Sequence, residues 1–264
     1  MHTLSDAVVL PITDELDLHH FRPSELGELL LEWLITARAA GFLEVRIIHG
    51  KGSGVAMTRV QSILGRCPLV RDWRGAPGGN WGATVARLYA PVTDEGRVRE
   101  ILTGCPRFMG VLAAVQALGA PPLWVGGGAV RNPIWHRLQG GEGEPAPSDI
   151  DVLWHDPAGQ PDEAEVAARL RAARPDLDWD VVNQALMPSP APSMVEALGR
   201  WPETATCVAA RLAGGALELL APHGWHDVLA LVVRRNTALP EEVFKARLAS
   251  KRWRLRFPGV TIFR

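Results

Sequence analysis

Three consecutive glycines follow a short apolar segment, and further along the chain two aspartates stand at alternate positions of a second apolar segment. The glycines lie in LWVGGGAVRN, residues 123–132, and the aspartates in SDIDVLW, residues 148–154. Glycines between a strand and a helix let the backbone and the helix N-terminus approach a phosphate group. Alternate residues of a strand share a face, so Asp149 and Asp151 are predicted to point together, about 6.5–7 Å apart.

The paired aspartates predict a cation site. Two carboxylates on one face, beside the apolar residues Ile150 and Val152, repel each other unless positive charge neutralises them, and Mg²⁺ favours such oxygen ligands. A third carboxylate is expected on a neighbouring strand, and LDWDVVNQ offers Asp180, with Asp178 on the same strand face as the alternative. Taken alone, SDID also fits a solvated strand end. The upstream glycines and the downstream acid favour the metal site.

The segment RLYAPVTDEGRVR, residues 87–99, leaves an apolar strand-like run, crosses turn-forming residues and enters a helical pattern. This turn chemistry predicts a domain boundary, with one domain at residues 1–92 and a second at residues 93–264. Strands and helices alternate in both parts. The predicted fold class is therefore a two-domain α/β (α+β) protein, with a small α/β sandwich first and a mixed sheet with helices second.

Composition excludes some classes of protein. With 28 basic and 29 acidic residues, the chain has no global field that draws it to nucleic acid or to a membrane. The three cysteines have no CxxC or CxxH grouping, which argues against a zinc site and a disulfide scaffold. No leader pattern and no apolar run of about 18 residues is seen, so we predict a cytoplasmic protein.

Weaker signals lie in the C-terminal half. Seven Lys or Arg and no acid occur between Lys245 and Arg264, which favours a solvated helix and tail over a phosphate-binding surface. A helix is predicted at residues 228–233. Trp135 and Trp154 are candidates for stacking a base.

Three polar blocks follow predicted strands in the first domain: LDLHH at residues 16–20, IIHGKGSG at residues 47–54 and GGNWGAT at residues 78–84. Glycine N–H groups, a lysine charge and histidines for proton transfer or phosphate contact suit a phosphodiester. An aspartate there orients a histidine or holds a metal. A tight turn with His49 bonded to backbone is the alternative. The candidate residues are Asp17, His19, His49, Gly50, Lys51 and Gly52.

These three blocks, in this order, resemble the small MutS-related (Smr) domain over residues 10–90. His20 stands where many members of that family carry glycine. The resemblance implies a nucleic-acid-binding domain, some relatives of which cleave DNA or RNA while others only bind.

The second domain resembles the nucleotidyltransferase superfamily of DNA polymerase beta and the CCA-adding enzymes. GGAVRN is close to the GGxVRD motif of the CCA-adding branch, with Asn132 in place of the acid, and SDIDVLW, WDVVNQA and APHGWHDVLALVVRRN resemble a bacterial nucleotidyltransferase-like family. The resemblance implies an NTP substrate bound at Gly127, Gly128 and Arg131. It also implies catalysis with Mg²⁺ at Asp149, Asp151 and Asp180.

The sequence supports three functional hypotheses. The first is a Mg²⁺-dependent nucleotidyltransferase that moves an NMP from an NTP to an acceptor, fused to a nucleic-acid-binding Smr domain. The second is an Smr-type DNA or RNA endonuclease, or a nucleic-acid-binding protein, whose second domain senses nucleotides. The third is a non-catalytic binding protein. The sequence leaves the acceptor, the preferred NTP and the oligomeric state open.

Overall fold

The computed structural model describes residues 12–78, 80–119, 122–145 and 149–263, and it describes the backbone but not the side chains of Asn80 and Trp81. Gly79 of the GGNWGAT block and Ser148 of SDIDVLW lie outside the described residues. Contacts divide the chain into two compact units, Met1–Pro91 and Val92–Arg264. The units are described separately below.

The first unit has one mixed sheet with the strand order β1-β2-β4-β3, in which β1 and β2 are parallel and the other pairs antiparallel. Leu30, Trp33 and Leu34 form a buried stripe on its first helix, as their helical spacing predicts. The elements are β1 (Glu15–Asp17), α1 (Leu26–Ala39), β2 (Glu44–Ile48), α2 (Val55–Arg66), β3 (Val70–Ala76) and β4 (Asn80–Leu88).

The second unit has a five-stranded mixed sheet and a separate pair of parallel strands. Its elements are α3 (Asp94–Thr103), α4 (Pro106–Gln116), β5 (Trp124–Gly126), α5 (Gly128–Leu138), β6 (Ile150–Trp154), α6 (Glu163–Ala173), β7 (Trp179–Asn183), α7 (Met194–Gly199), β8 (Ala209–Ala213), β9 (Ala216–Leu220), α8 (His226–Leu229), β10 (Val232–Arg234), α9 (Glu241–Lys251), α10 (Trp253–Arg256) and β11 (Thr261–Phe263). Short 3-10 turns lie at Pro91–Thr93, Gln184–Leu186 and Thr204–Thr206.

The order of the larger sheet is β7-β6-β5-β8-β9, with β6 and β7 parallel and the other pairs antiparallel. The two-domain α/β prediction is therefore confirmed, with a mixed sheet in each unit. Ile150, Val152 and Leu153 of β6 are buried, so the strand that carries the paired aspartates runs through the core. A central, well-packed strand holds the site on a rigid element.

One prediction about the C-terminal part was wrong. The helix predicted at residues 228–233 ends at Leu229, and Val232 begins β10, because β11 pairs with this segment. The basic segment from Lys245 keeps four of its described basic side chains exposed, as a solvated helix and tail would: Lys245, Arg252, Arg254 and Arg256. Trp253 and Phe257 are buried in the same segment, which anchors α9 and α10 to the body of the unit.

No helix in the described ranges combines the length and the apolar character that crossing a bilayer requires.

Leu231 and Arg252 are the described non-glycine residues with positive φ. His20 thus adopts an ordinary backbone conformation, and its turn does not depend on the glycine that many Smr domains carry there.

Candidate functional site

A pocket of about 310 Å³ opens in the second unit where β5, β6 and β7 meet α5 and the C-terminal helices. This volume lies at the lower end of the range of about 300–1,000 Å³ that is usual for ligand sites. The lining residues are Gly127, Gly128, Arg131, Asn132, Asp149, Asp151, Asp180, Trp201, Pro202, Thr206, Arg247, Lys251, Trp253 and Arg256. The pocket thus brings together the six residues predicted to bind nucleotide or metal, namely Gly127, Gly128, Arg131, Asp149, Asp151 and Asp180, but not Asp178, Trp135 or Trp154.

Strand register places two of the carboxylates side by side. Asp151 of β6 is paired with Asp180 of the parallel strand β7, and with Gly126 of β5 on its other side. Paired residues of parallel strands project from the same face of the sheet. Asp180 lines the pocket, whereas Asp178 is not among the lining residues and its backbone carbonyl accepts the N–H of Ile150 at 2.8 Å. Geometry therefore favours Asp180 over Asp178.

Burial and two neighbouring carboxylates act together on Asp151. Removal from water, then the charges of Asp149 and Asp180, raise the pKa of Asp151 to about 7. Lys251 and Arg247 oppose this rise. Because the ionised form is costly here, a cation beside Asp151 would stabilise it.

Within the described ranges, no three His, Cys, Asp or Glu side chains stand together as a ready metal site. The Asp149 carboxylate lies 3.8 Å from the Lys251 ammonium and is half exposed. The chemistry of the pocket nevertheless fits Mg²⁺, because three carboxylates line it. The negative charges of Asp149 and Asp180 disfavour ionisation of Asp151, and a bound cation would relieve that repulsion.

Gly127 forms the turn between β5 and α5, with φ 58° and ψ −124°. A Cβ at this position would lie 2.7 Å from the Trp201 ring and 3.0 Å from the Asp151 carboxylate. Its N–H donates to Val208 O at 2.8 Å, and its carbonyl accepts the N–H of Arg131 at 3.0 Å. The turn therefore needs glycine both for its conformation and for its close approach to a carboxylate.

Arg131 projects from α5 and is 3% exposed. Its guanidinium contacts two indole rings that are set edge to face, 4.7 Å from the centre of Trp135 and 4.4 Å from that of Trp253. It donates to Asn132 Oδ1 at 2.7 Å, so Asn132 fixes the cation where the related motif has an acid. Burial lowers the pKa of Arg131 to about 9, which leaves it charged at neutral pH. Both ring contacts are cation–π interactions.

The candidate base-stacking role of Trp135 and Trp154 was wrong. Both rings are buried, and each indole N–H donates to a backbone carbonyl, that of Val228 at 2.8 Å and that of Gln160 at 3.2 Å. Trp135 instead supports Arg131 from within the core.

Three cations of the pocket were not predicted from the sequence as site residues. Arg247, Lys251 and Arg256 line it, and all belong to the basic C-terminal segment. Glu203, 1% exposed, holds Arg247 through two contacts at 2.7 and 3.2 Å. The signal was present as a run of Lys and Arg without acids, but the sequence does not show which of these side chains line the pocket.

In the first unit, Asp17 and His19 form a pair on the surface. The carboxylate accepts the backbone N–H of His19 at 2.9 Å and its ring Nδ1–H at 2.6 Å, and both side chains are about half exposed. These contacts, the backbone one first, hold the pKa of Asp17 below its usual value. A Cβ on Gly50 would lie 2.8 Å from His19 Nε2, so that nitrogen faces the glycine loop.

His49 and Gly50 are occupied by the fold. His49 is buried, with Nε2 hydrogen-bonded to Thr84 Oγ1 at 3.0 Å and Nδ1 to Gly50 O at 3.1 Å. The Gly50 N–H donates to Gly82 O at 2.9 Å. The turn interpretation of His49 thus describes its contacts, and the Gly50 amide is already paired. Lys51 is exposed, and Gly52 has open space at its Cβ position.

The fold and the pocket together define a nucleotidyltransferase-type domain that follows a small Smr-type domain in the sequence. The model of a nucleotidyltransferase family matches residues 113–262, more than half of the chain, so the chain belongs to this nucleotidyltransferase family. The model of the Smr domain matches residues 16–89. Both resemblances predicted from the sequence are confirmed.

Solved and curated proteins give the same division. A solution structure described as a CCA-adding enzyme head domain is 28% identical, with a TM-score of 0.56, and covers 63% of this chain and 94% of its own. Endonuclease MutS2 of Staphylococcus epidermidis is 39% identical over 79 residues, 29% of this chain and 10% of that protein. Endonuclease MutS2 of Halalkalibacterium halodurans is also 39% identical over 79 residues, with the same coverage. The chain thus spans about a tenth of the length of these relatives.

The Gly127 turn gives a stability prediction. We expect Gly127→Ala to lower the free energy of unfolding by roughly 2–4 kcal/mol, because the new Cβ meets Trp201 and Asp151 in addition to the backbone strain. Gly214 also has positive φ, 56°, but has nothing within 4 Å of its Cβ position. Gly214→Ala is therefore the matched control, with an expected loss of about 1 kcal/mol in urea unfolding. Equal losses would contradict the close packing at Gly127.

The raised pKa of Asp151 gives a pH prediction. Between about pH 4 and pH 7 the folded protein retains a proton that the unfolded chain releases, so stability falls as pH rises and is lowest above pH 7. In urea unfolding with EDTA, Asp151→Asn should exceed wild type by roughly 2 kcal/mol at pH 8 and converge with it near pH 4. Asp178→Asn, at an exposed site, should leave the pH dependence unchanged. A stability gain by Asp151→Asn that is the same at both pH values would contradict the shift.

Proposed function

We propose that the second unit is a Mg²⁺-dependent nucleotidyltransferase that transfers an NMP from an NTP to an acceptor hydroxyl. The observation that carries this proposal is the pairing of Asp151 with Asp180 beside the Gly127 turn, in a pocket that is also lined by Arg247, Lys251 and Arg256. The family match and the likeness to a CCA-adding enzyme head domain support it.

Asp149, Asp151 and Asp180 are the proposed Mg²⁺ ligands, and bound Mg²⁺ would neutralise phosphate charge and polarise the reacting phosphoryl group. The remaining chemistry belongs to the chain. Gly127 and Gly128 allow the phosphates to approach the start of α5, and Arg131 adds a fixed positive charge below them. Asp180, exposed at the rim, accepts the proton of the acceptor hydroxyl. The acceptor oxygen bonds to the α-phosphorus as the bond to pyrophosphate breaks.

Substitution of single carboxylates tests the transferase. Purified protein is incubated with each α-labelled NTP, Mg²⁺ and total RNA, and label transfer is measured. We expect Asp151→Asn and Asp180→Asn each to reduce transfer by about 10³-fold or more, because each removes a proposed metal ligand. The matched control is Asp178→Asn, two residues from Asp180 and outside the pocket lining, which should retain transfer within about threefold. Full activity in Asp180→Asn with loss in Asp178→Asn would reverse the assignment of the third carboxylate.

A second activity is proposed for the Smr domain on the strength of the Asp17–His19 pair. Asp17 accepts Nδ1–H and so leaves the lone pair on His19 Nε2, the protonation state that a general base for phosphodiester cleavage needs. Lys51, which follows Gly50 in the glycine loop that His19 Nε2 faces, adds an exposed charge for a phosphate. The domain would bind DNA or RNA through this edge. The MutS2 relatives, named as endonucleases, support the proposal.

The histidine pair LDLHH supplies its own control. We expect His19→Ala to abolish any strand cleavage of labelled RNA or DNA, because the oriented Nε2 is lost, whereas His20→Ala should leave it within about twofold. Cleavage that survives both changes and persists in Asp151→Asn would exclude this mechanism. If wild type binds nucleic acid without cleaving it, the Smr domain is a binding module.

A further inference from the structure

We propose that the C-terminal helices α9 and α10 form the subsite for the β- and γ-phosphates of the nucleotide, with Lys251 and Arg256 as its ligand-binding side chains. This inference rests on the proposed transferase and names the part of that site that holds the triphosphate. For the basic C-terminal segment the sequence favoured a solvated helix and tail over a phosphate-binding surface, and the inference takes the second of these alternatives for Lys251 and Arg256.

The C-terminal segment is docked at several points. Trp253 and Phe257 pack edge-on against Trp135 of α5, with ring centres 5.8 and 5.1 Å apart. The Gly259 N–H donates to Gln139 Oε1 at 2.9 Å, and β11 pairs with β10. These contacts hold α9 and α10 against the helix that begins at the glycine turn. The backbone that carries the cations of this segment is therefore held at a fixed position beside the pocket.

A break in the backbone separates the two helices that carry these cations. Arg252 adopts the left-handed conformation, φ 47° and ψ 48°, between α9 and α10. Lys251 before the break and Arg256 after it both line the pocket, whereas Arg254 of α10 does not, although Arg254 and Arg256 are both exposed. The segment thus places some of its basic residues at the pocket and others away from it.

The positive charge of these side chains is only partly neutralised by the protein. Glu203 fixes Arg247, and Lys251 lies 3.8 Å from Asp149, which is longer than a hydrogen bond. Arg256 makes no ion pair with any described residue. The pocket lining therefore carries carboxylates and cations together. A ligand that combines a metal ion with several phosphate charges complements both.

Arg131 gives an independent sign of a missing acceptor. Its Nε is buried and has no hydrogen-bond partner among the described residues, although the side chain lines the pocket. Buried polar groups are normally satisfied, so a donor left unpaired in a pocket wall points to a ligand oxygen. Arginine donors suit phosphate oxygens, and Arg131 stands between the glycine turn and the Trp253 ring of the docked segment.

The test compares ligands that share the base but differ in phosphate. Binding of ATP, AMP and inorganic tripolyphosphate to the full chain is measured by titration calorimetry with Mg²⁺. We expect Arg256→Gln and Lys251→Gln each to weaken ATP and tripolyphosphate about tenfold or more and to leave AMP within about twofold. Arg254→Gln, the same charge change in the same helix but away from the pocket, should leave all three unchanged.

The other outcomes either overturn the inference or separate it from the proposed transferase. If Arg254→Gln weakens tripolyphosphate as much as Arg256→Gln does, the effect is one of overall charge and no subsite exists. If the pocket variants weaken AMP equally, they act on the α-phosphate or the fold; thermal unfolding of each variant identifies the latter. Wild type that binds tripolyphosphate at Lys251 and Arg256 but transfers no label retains the subsite and refutes the transferase. If Arg256→Gln and Lys251→Gln both bind ATP as wild type does and label transfer is active, the subsite is refuted and the transferase is retained.

Discussion

The register between β6 and β7 is the constraint on which the candidate site depends. It places Asp151 opposite Asp180, and the antiparallel neighbour on the other side places Gly126 beside the same aspartate. A slip of β6 by one residue would turn Asp151 to the other face of the sheet, away from Asp180, and turn its apolar neighbours into the pocket. The burial of Ile150 and Val152 opposes such a slip, so the hydrophobic core enforces the position of the polar groups.

This placement has an energetic cost that the pocket partly offsets. Three carboxylates in one pocket disfavour ionisation of Asp151, and Lys251 and Arg247 reduce the penalty without removing it. The cations are themselves held by buried partners, Arg247 by Glu203 and Arg131 by two indole rings. The site therefore combines carboxylates and cations on a rigid frame, which preorganises it for a ligand that carries both signs of charge.

The motifs predicted the carboxylates of the pocket because alternation along a strand and glycines after a strand are local rules. GGG and SDID needed no tertiary information to indicate a shared site. The cations of the pocket could not be predicted in the same way. Whether Arg256 or Arg254 lines the pocket depends on the left-handed residue Arg252 and on the packing of Trp253 against Trp135, which are properties of the folded chain.

In the Smr domain, too, the sequence located the candidate site but did not show which of its histidines is exposed. The sequence treated His19 and His49 as equivalent candidates, because both stand in polar blocks after strands. Burial separates them: His49 is enclosed beside Thr84, while His19 is exposed and oriented by Asp17. Local patterns indicated the region, and only side-chain packing distinguished a structural histidine from one that reaches solvent.

The most direct test of the central claim is a crystal structure of the protein with Mn²⁺ and a non-hydrolysable ATP analogue, recorded with anomalous scattering. The account predicts a Mn²⁺ peak within about 2.5 Å of the carboxylate oxygens of Asp151 and Asp180, with the triphosphate between the Gly127 turn and Arg256. Nucleotide bound elsewhere, or a triphosphate that contacts neither the metal nor the glycine turn, would contradict it.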